Sequence, residues 1–198
     1  MIVLTQKEKV LQLAANNDGV LLTKQVTAAG YTRDTLRALI DDGLLLCVQR
    51  GVYVTDSGYV DDYFLLQHLF KQGIFSHETA LFLLGYSDRV PMNVVMTFRY
   101  GTQATRVKDA GVFPVMVSHY FEIGRSMVVR SGQEIWVYDI ERTLVDLLKP
   151  RYAADYEQLI PAIKKYAGSE ERDINKLFRY AKRFGVEDQM RQLIGVLL

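Results

Sequence analysis

The 198-residue sequence predicts an α+β protein with a small N-terminal part of helices and a hairpin, followed by a larger part with a mostly antiparallel sheet and C-terminal helices. Two observations predict this class. Apolar residues recur at helical spacing up to residue 42, form short strand-like runs between residues 93 and 138, and return to helical spacing from residue 140. The hydrophobic fraction of 49% and the charged fraction of 24% are those of a globular chain, and 198 residues are enough to bury a core without disulfides or metals.

The first predicted element is a helix whose start is marked by a capping box. Thr5 and Glu8 have the spacing at which each side chain caps the other residue's backbone amide. Apolar residues within 10–14 give this helix one apolar face, and the run Asn-Asn-Asp-Gly at 16–19 ends it. The short apolar run at 20–22 predicts a strand.

Two further helices follow, with a turn between them. Thr23 is the predicted N-cap of a helix of under two turns, which Gly30 closes. Thr32 is the predicted N-cap of a third helix over residues 33–42. The residues of this helix expected to face the core are Leu36, Leu39 and Ile40.

A β-hairpin completes the N-terminal part. Residues 44–49 and 52–55 are strand-like and flank the turn pair Arg50-Gly51, and we expect Cys47, inside the first strand, to be buried. The order helix, strand, helix, turn, helix, hairpin is that of a winged helix-turn-helix. We therefore predict a DNA-binding domain over residues 1–57 and a second domain over residues 58–198.

In a winged helix-turn-helix the third helix enters the major groove, and the hairpin, or wing, contacts the backbone or the minor groove. The residues predicted to contact DNA are Lys24, Thr32, Arg33, Thr35, Arg37, Gln49 and Arg50. Residues 1–59 hold six basic and six acidic side chains, which excludes an indiscriminate, charge-driven binder. The same module also serves as a protein-docking adaptor, and this alternative stays open.

Beyond the hairpin, the sequence predicts alternating helical and extended segments. Helices are expected over residues 61–72, 77–84, 141–149, 154–166, 173–184 and from 187, and strands over 93–98, 112–117, 121–123, 126–129 and 134–138.

Three sequence segments, in this order, resemble the AbiEi family of antitoxins: Gln-Arg-Gly-Val-Tyr at 49–53, Phe-Ser-His-Glu-Thr-Ala-Leu at 75–81 and Glu-Arg-Thr-Leu-Val-Asp-Leu-Leu at 141–148. The resemblance implies an antitoxin of a type IV toxin-antitoxin system, of the abortive-infection kind used in phage defence. It implies a transcriptional repressor that regulates its own promoter by binding inverted repeats in double-stranded DNA. It also implies that the larger domain counters a nucleotidyltransferase-like toxin, AbiEii, without requiring a stable complex.

The remaining polar motifs give no catalytic residue. Ser76, His77 and Glu78 are consecutive, and consecutive helical residues point in different directions, so we interpret Ser76 as an N-cap and Glu78 as a first-turn acid. His68 and His119 have no partners at metal-ligand spacing, and no glycine-rich phosphate loop is present. We therefore predict a non-enzymatic protein with no cofactor and no metal.

One alternative from a different class is a nucleic-acid-processing enzyme. Asp139, Glu141 and Asp146 would then hold a metal ion, as a nuclease requires. We favour a simpler interpretation, in which Asp139 and Glu141 are acids at the start of a helix.

A basic stripe marks the C-terminal part. Cations at 172, 176, 179 and 183 follow helical spacing, so they share one face. The stripe is either a solvated face or a second surface for a polyanion or for antitoxin action. The predicted surface consists of these four cations and the neighbouring Lys182: Arg172, Lys176, Arg179, Lys182 and Arg183.

The sequence also predicts a cytoplasmic protein that does not enter a membrane. The N-terminus lacks a secretion signal, and Cys47 is the single cysteine. Apolar runs fall short of the roughly 18 residues needed to span a bilayer.

Overall fold

A computed structural model of the protein describes residues 4–152 and 155–197. The chain divides into two compact units. The N-terminal unit comprises Met1–Leu69 and Val129–Glu134, and the C-terminal unit comprises Phe70–Val128 and Ile135–Leu198. The boundary predicted at residue 57 lies inside the N-terminal unit, which also contains the helix after it and a hairpin tip from later in the chain. The division of function between residues 1–57 and 58–198 stays a prediction.

The N-terminal unit contains the predicted order of helix, strand, helix, helix and hairpin. Its strands form one sheet in the order β1-β3-β2, with antiparallel pairing on both sides of β3. The elements are α1 (Gln6–Ala15), β1 (Val20–Leu22), α2 (Thr23–Ala28), α3 (Arg33–Asp41), β2 (Leu46–Gln49), β3 (Val52–Val54) and α4 (Asp62–Leu69).

Local capping explains where these helices begin. The predicted capping box is present, because Glu8 N donates to Thr5 Oγ1 at 3.3 Å and Thr5 N donates to Glu8 Oε2 at 2.7 Å. Thr32 is the N-cap of α3, as predicted. Thr23 is not the N-cap of α2 but its first helical residue; Leu22 occupies the cap position, and its backbone N–H donates to a side-chain oxygen of the third residue, Gln25.

The core of this unit lies between the helices and the sheet. Leu36 and Leu39 are buried and Ile40 packs against them, as expected. The buried set is Val10, Ala14, Leu21, Val26, Leu36, Leu39 and Leu45. The expectation for Cys47 was wrong: its thiol is exposed, because β2 is an edge strand whose residues 46–48 are all exposed.

The C-terminal unit is built on a five-stranded sheet in the order β6-β5-β4-β8-β7. The strands of this sheet are β4 (Ile74–Phe75), β5 (Val94–Arg99), β6 (Val112–Val117), β7 (Arg125–Arg130) and β8 (Gln133–Tyr138). The ends of β7 and β8 that fall within residues 129–134 belong to the N-terminal unit. Its helices are α5 (His77–Leu83), α6 (Ala104–Asp109), α7 (Ile140–Leu147), α8 (Tyr156–Ala167), α9 (Ile174–Phe184) and α10 (Glu187–Leu197).

The prediction of a mostly antiparallel sheet was wrong, because the sheet is mixed. β4 pairs antiparallel with β5, but β4 with β8 and β5 with β6 are parallel. The parallel pair β5–β6 is joined through α6, because parallel neighbours need a crossover. Residues 121–123 form a turn rather than a strand, and the predicted helix start at Ala154 falls outside the described residues.

The main core of this unit lies among helices α5, α7, α8, α9 and α10. Helix α7 is its centre, because every residue from Glu141 to Leu147 is buried. Within the described ranges, no helix combines the length and the apolar character required to cross a membrane.

Candidate nucleic-acid interface and the buried polar network

Helix α3 presents a polar face opposite its buried leucines. Arg33 and Arg37 stand four residues apart and are exposed, so they lie on one side of the helix. Thr32 is also exposed, and its hydroxyl accepts from the Thr35 backbone N–H at 3.4 Å. Thr35 does not belong to this face: it is 8% exposed and its hydroxyl lies 3.3 Å from that of Thr32. The prediction of Thr35 as a DNA contact was therefore wrong, because its side chain is part of the helix cap.

The hairpin adds a second cationic position. Arg50 is exposed at the turn, and the next residue, Gly51, has φ +86°, a conformation that favours glycine. The Gly51 carbonyl accepts from Thr23 N at 3.0 Å, which joins the turn to the start of α2. Lys24, the next residue of α2, is exposed.

Gln49 differs from its prediction as a DNA contact. Its side-chain Nε2 donates to the Leu65 carbonyl at 3.2 Å, and the side chain is partly buried. This hydrogen bond links β2 to α4, so the side-chain amide of Gln49 already has a partner within the N-terminal unit. The exposed cations of the predicted set are Lys24, Arg33, Arg37 and Arg50.

The acidic residues of α3 are divided between its two ends. Asp34 is exposed in the first turn, where its carboxylate interacts favourably with the positive end of the helix dipole. Asp42, the C-cap, forms an ion pair with Lys7 of α1 at the other end. This pairing neutralises one carboxylate and occupies one cation, so Lys7 does not add to the positive face.

In the C-terminal unit, α7 places a buried arginine at the centre of a polar network. The Arg142 side chain is 1% exposed and its Nε donates to Asp146 at 2.8 Å. Its Nη1 donates to the carbonyls of Tyr120 at 2.7 Å and Ile123 at 2.6 Å. Lys149 donates to the other oxygen of Asp146 at 2.6 Å. Burial lowers the pKa of Lys149, and Asp146 opposes that shift.

A second network changes the predicted basic stripe. Lys176 forms ion pairs with Asp139 at 3.0 Å and Glu141 at 2.9 Å. Burial opposes protonation of Lys176, but its hydrogen bonds to Glu141 and Asp139 outweigh burial and raise its pKa. Arg172 precedes Asp173, the N-cap of α9, and so is not on the helix. The prediction of a four-cation helical stripe was therefore wrong, because only Arg179 and Arg183 of the four remain as exposed cations on α9. Lys182, the fifth residue of the predicted surface, is also exposed.

Part of this remaining group belongs to a cleft. Arg183 lines a cavity of about 620 Å³ together with Lys149 and Arg151, and we call these three residues the cationic cleft.

The three carboxylates proposed as metal ligands in the nuclease alternative, those of Asp139, Glu141 and Asp146, form ion pairs with basic side chains. Asp139 is the predicted N-cap, accepting from Arg142 N at 2.8 Å, and it shares Lys176 with Glu141. Glu141 is not a simple helix-start acid, because it is buried and accepts from the Tyr166 hydroxyl at 3.1 Å. Burial raises the pKa of Asp139, and the hydrogen bond from Arg142 N opposes this. In the part of the chain described, no three His, Cys, Asp or Glu side chains are grouped as a metal site.

Ser76 and His77 interact in a way that the sequence argument excluded. Ser76 occupies the N-cap position of α5 but makes no side-chain cap hydrogen bond. Its hydroxyl lies 3.0 Å from Nδ1 of His77 instead. The contact is possible because His77 has φ +55°, outside the helical region on which the argument about side-chain directions depends.

The fold of the N-terminal unit and its exposed cations make this unit a candidate nucleic-acid-binding domain. Residues 8–55 match the family model described as "Transcriptional regulator, AbiEi antitoxin". The resemblance to AbiEi proteins is thereby confirmed over these residues.

The two other comparisons concern whole chains. A crystal structure of the RV2827C protein from Mycobacterium tuberculosis is similar, with a TM-score of 0.56 and 15% identity over 98% of this chain and 82% of that one. At this identity the similarity concerns the fold alone. No curated protein matches the chain.

Proposed function

We propose that the protein is an antitoxin of a type IV, abortive-infection toxin-antitoxin system and a transcriptional repressor of its own promoter. The match of residues 8–55 to the AbiEi regulator family carries this proposal. The N-terminal unit acts as a winged helix-turn-helix that binds inverted repeats in double-stranded DNA. The functional partner is a nucleotidyltransferase-like AbiEii toxin, and the protein itself performs no catalysis.

The exposed cations of the N-terminal unit suggest how DNA is bound. Arg33 and Arg37 share one face near the start of α3, and arginine contacts guanine edges in the major groove through two hydrogen bonds. Lys24 and Arg50 contact phosphates, which fixes the position of the domain without reading sequence. The small number of cations accords with binding that depends on a specific sequence rather than on net charge.

Gel-shift titration of the promoter fragment tests this assignment. Arg33→Ala and Arg37→Ala should each weaken operator binding by about 1–3 kcal/mol, because each loses a base contact. Lys9→Ala is the matched control, since Lys9 is an exposed cation of the same unit outside α3. Unchanged affinity in both arginine variants would exclude α3 as the recognition helix.

Antitoxin action is assigned to the C-terminal unit. The full-length Arg33→Ala, Arg37→Ala double variant, expressed from an unrelated promoter, should lose repression and still rescue cells that express the toxin. Loss of rescue together with repression, in a variant that remains folded, would contradict this division of function.

The exposed cations on α9 provide a candidate surface for antitoxin action. We propose that Arg179 and Lys182 contact a polyanion, either DNA beside the operator or an RNA that the toxin also uses. Reversing both residues to Glu should impair repression or rescue, while Lys164→Glu, an exposed lysine of α8, should not. If both activities survive the reversal, these cations are only solvated surface.

A further inference from the structure

The cationic cleft surrounds a cavity that none of the proposed DNA contacts uses. The cavity measures about 620 Å³, within the size range of small-molecule sites, about 300–1,000 Å³. All of the residues that line it belong to the C-terminal unit. Besides the cationic cleft, its wall contains two aromatic side chains, those of Tyr120 and Phe184.

Two of the cations have their charged ends beside these aromatic rings. Lys149 Nζ lies 4.2 Å from the centre of the Phe184 ring, and Arg183 Cζ lies 5.7 Å from the centre of the Tyr120 ring. The two rings pack edge to face, with their centres 5.3 Å apart. The ammonium of Lys149 and the guanidinium of Arg183 therefore flank one aromatic pair in the cavity wall.

Arg151 adds a third positive charge from the segment that follows α7. The residue is exposed and lines the cavity. Its Nη2 donates to the Tyr152 hydroxyl, and its Cζ lies 4.6 Å from the centre of the Tyr152 ring. Because these contacts involve no carboxylate, they leave the charge of Arg151 without a counter-charge.

The positive charge around the cavity is not balanced by carboxylates. Within the described part of the chain, no Asp or Glu lines the cavity, and neither Arg151 nor Arg183 forms an ion pair. Lys149 is paired with Asp146, but Asp146 also pairs with the buried Arg142. One carboxylate is thus shared by two cations, so the surroundings of the cavity attract an anion.

Repulsion among these cations affects Lys149. Burial lowers the pKa of Lys149, Asp146 opposes that shift, and the charges of Arg142 and Arg151 lower the pKa further. A nearby like charge disfavours the protonated form of a lysine. An anion in the cavity would offset this repulsion, so its binding would remove an unfavourable interaction of the free protein.

The wall of the cavity is held in place by the buried network of α7. Tyr120 has φ +60°, a conformation that non-glycine residues rarely adopt. Its carbonyl accepts from Arg142 Nη1 at 2.7 Å, while Asp146 accepts from both Arg142 and Lys149. One network therefore fixes a backbone segment and an ammonium group of the wall, as a preorganised site requires.

A second cavity of the C-terminal unit has the opposite charge. It measures about 320 Å³, and the residues that line it include His77 and the carboxylates of Glu78 and Asp155. Arg89 also lines it but is paired with Asp155 at 3.2 Å, which leaves Glu78 as a negative charge. Positive charge is thus a property of the cationic cleft and not of every cavity in this unit.

We propose that the cavity of the cationic cleft binds a small polyphosphate, either free or as the phosphate chain of a nucleotide. Arginine and lysine are the side chains with which proteins bind phosphates, and arginine does so through two parallel hydrogen bonds. The bounded cavity favours a compact ligand, because a nucleic-acid backbone carries its phosphates in an extended row. The site is separate from the proposed DNA contacts of α3 and from Arg179 and Lys182.

Isothermal titration calorimetry of the full-length protein with sodium tripolyphosphate, without divalent cations, tests the proposal. One ion should bind per chain, and the affinity should fall as the salt concentration rises. Adenosine and guanosine triphosphate form the second arm: tighter binding than tripolyphosphate identifies a nucleotide as the ligand, and equal affinity identifies the phosphate chain alone. Absence of saturable binding by all three probes would overturn the proposal, as would tighter binding of citrate, which carries carboxylates instead of phosphates.

Substitutions in the cationic cleft separate a site from a general effect of charge. Arg183→Gln and Arg151→Gln should each weaken binding about tenfold and leave Tm of the free protein unchanged, because both residues are exposed. Arg183→Lys keeps the charge and should retain most of the affinity. Lys164→Gln is the matched control, since it removes an exposed cation of α8 that does not line the cavity. An equal loss in all three glutamine variants, or no loss in either cleft variant, would overturn the assignment.

A nucleic-acid backbone is the remaining source of phosphates. A short single-stranded RNA without terminal phosphates should not displace tripolyphosphate in a competition titration. Displacement by this RNA, with an affinity that depends on Arg151 and Arg183, would show a nucleic-acid surface and overturn the assignment of a small ligand.

Discussion

The buried ion pair on α7 gives a quantitative prediction for stability. Asp146→Asn removes a carboxylate that is 3% exposed and leaves Arg142, which is 1% exposed, without its counter-charge. Breaking such a buried pair costs about 3–5 kcal/mol. Arg142 keeps two carbonyl acceptors, at 2.7 and 2.6 Å, so the loss should lie at the lower end, about 3 kcal/mol.

Thermal unfolding followed by circular dichroism measures this cost. For a chain of this length, 1 kcal/mol shifts Tm by roughly 2–4 °C, so Asp146→Asn should lower Tm by about 6–12 °C. The control is Glu187→Gln on α10, which breaks an i,i+4 pair of similar length, 2.8 Å, whose arginine is 63% exposed. Such exposed helical pairs contribute about 0.3–0.5 kcal/mol. Equal shifts in the two variants would refute the argument that burial makes the difference.

Two further predictions concern His77 and Cys47. Burial lowers the pKa of His77 from 6.5 in the unfolded chain to about 4 in the folded protein. The contribution of His77 to the free energy of unfolding should therefore be constant above about pH 6.5. It should fall by roughly 3 kcal/mol as the pH drops towards 4, because the unfolded chain then binds a proton that the folded protein does not. Urea unfolding of wild type and His77→Asn across this range checks it, and identical pH dependences would disprove the role of the imidazole. The Cys47 thiol is exposed and should react with a thiol reagent in the native state, one equivalent per chain. Reaction only after addition of denaturant would show that β2 is covered.

The sequence predicted the N-terminal elements well because their signals are local. The capping box at Thr5 and Glu8 and the N-cap at Thr32 depend on residues at most three positions apart. The buried face of α3 follows from helical spacing alone. Capping also explains the error at Thr35, whose side chain is part of the cap rather than of the outward face.

The C-terminal sheet was harder to predict because its pairing is not local. β4 has two residues, too few for a pattern, yet it lies in the middle of the sheet and pairs parallel with β8. The edge position of β2, which exposes Cys47, also depends on sheet order rather than on the sequence of the strand.

Two features of the polar sites lie beyond sequence patterns. Lys176 matched the spacing of a basic stripe, but Asp139 and Glu141, more than 30 positions earlier, neutralise it. The contact of Ser76 with His77 depends on a positive φ at a non-glycine residue, which no spacing indicates. The segment that contains Ser76 and His77 is one of the three that resemble AbiEi proteins, but the resemblance does not indicate the cavity that His77 lines.

The salt dependence of operator binding tests the central claim, that the N-terminal unit is a DNA-binding regulator, most directly. In the proposed complex Lys24 and Arg50 would contact two phosphates per protomer, or four on an inverted repeat, which predicts that log affinity falls against log salt with a slope of about −3.6. Arg50→Ala should reduce the magnitude of this slope by about 1.8, while Lys9→Ala should leave it unchanged. Failure to bind the promoter at low salt, or a slope that Arg50→Ala does not change, would contradict the account.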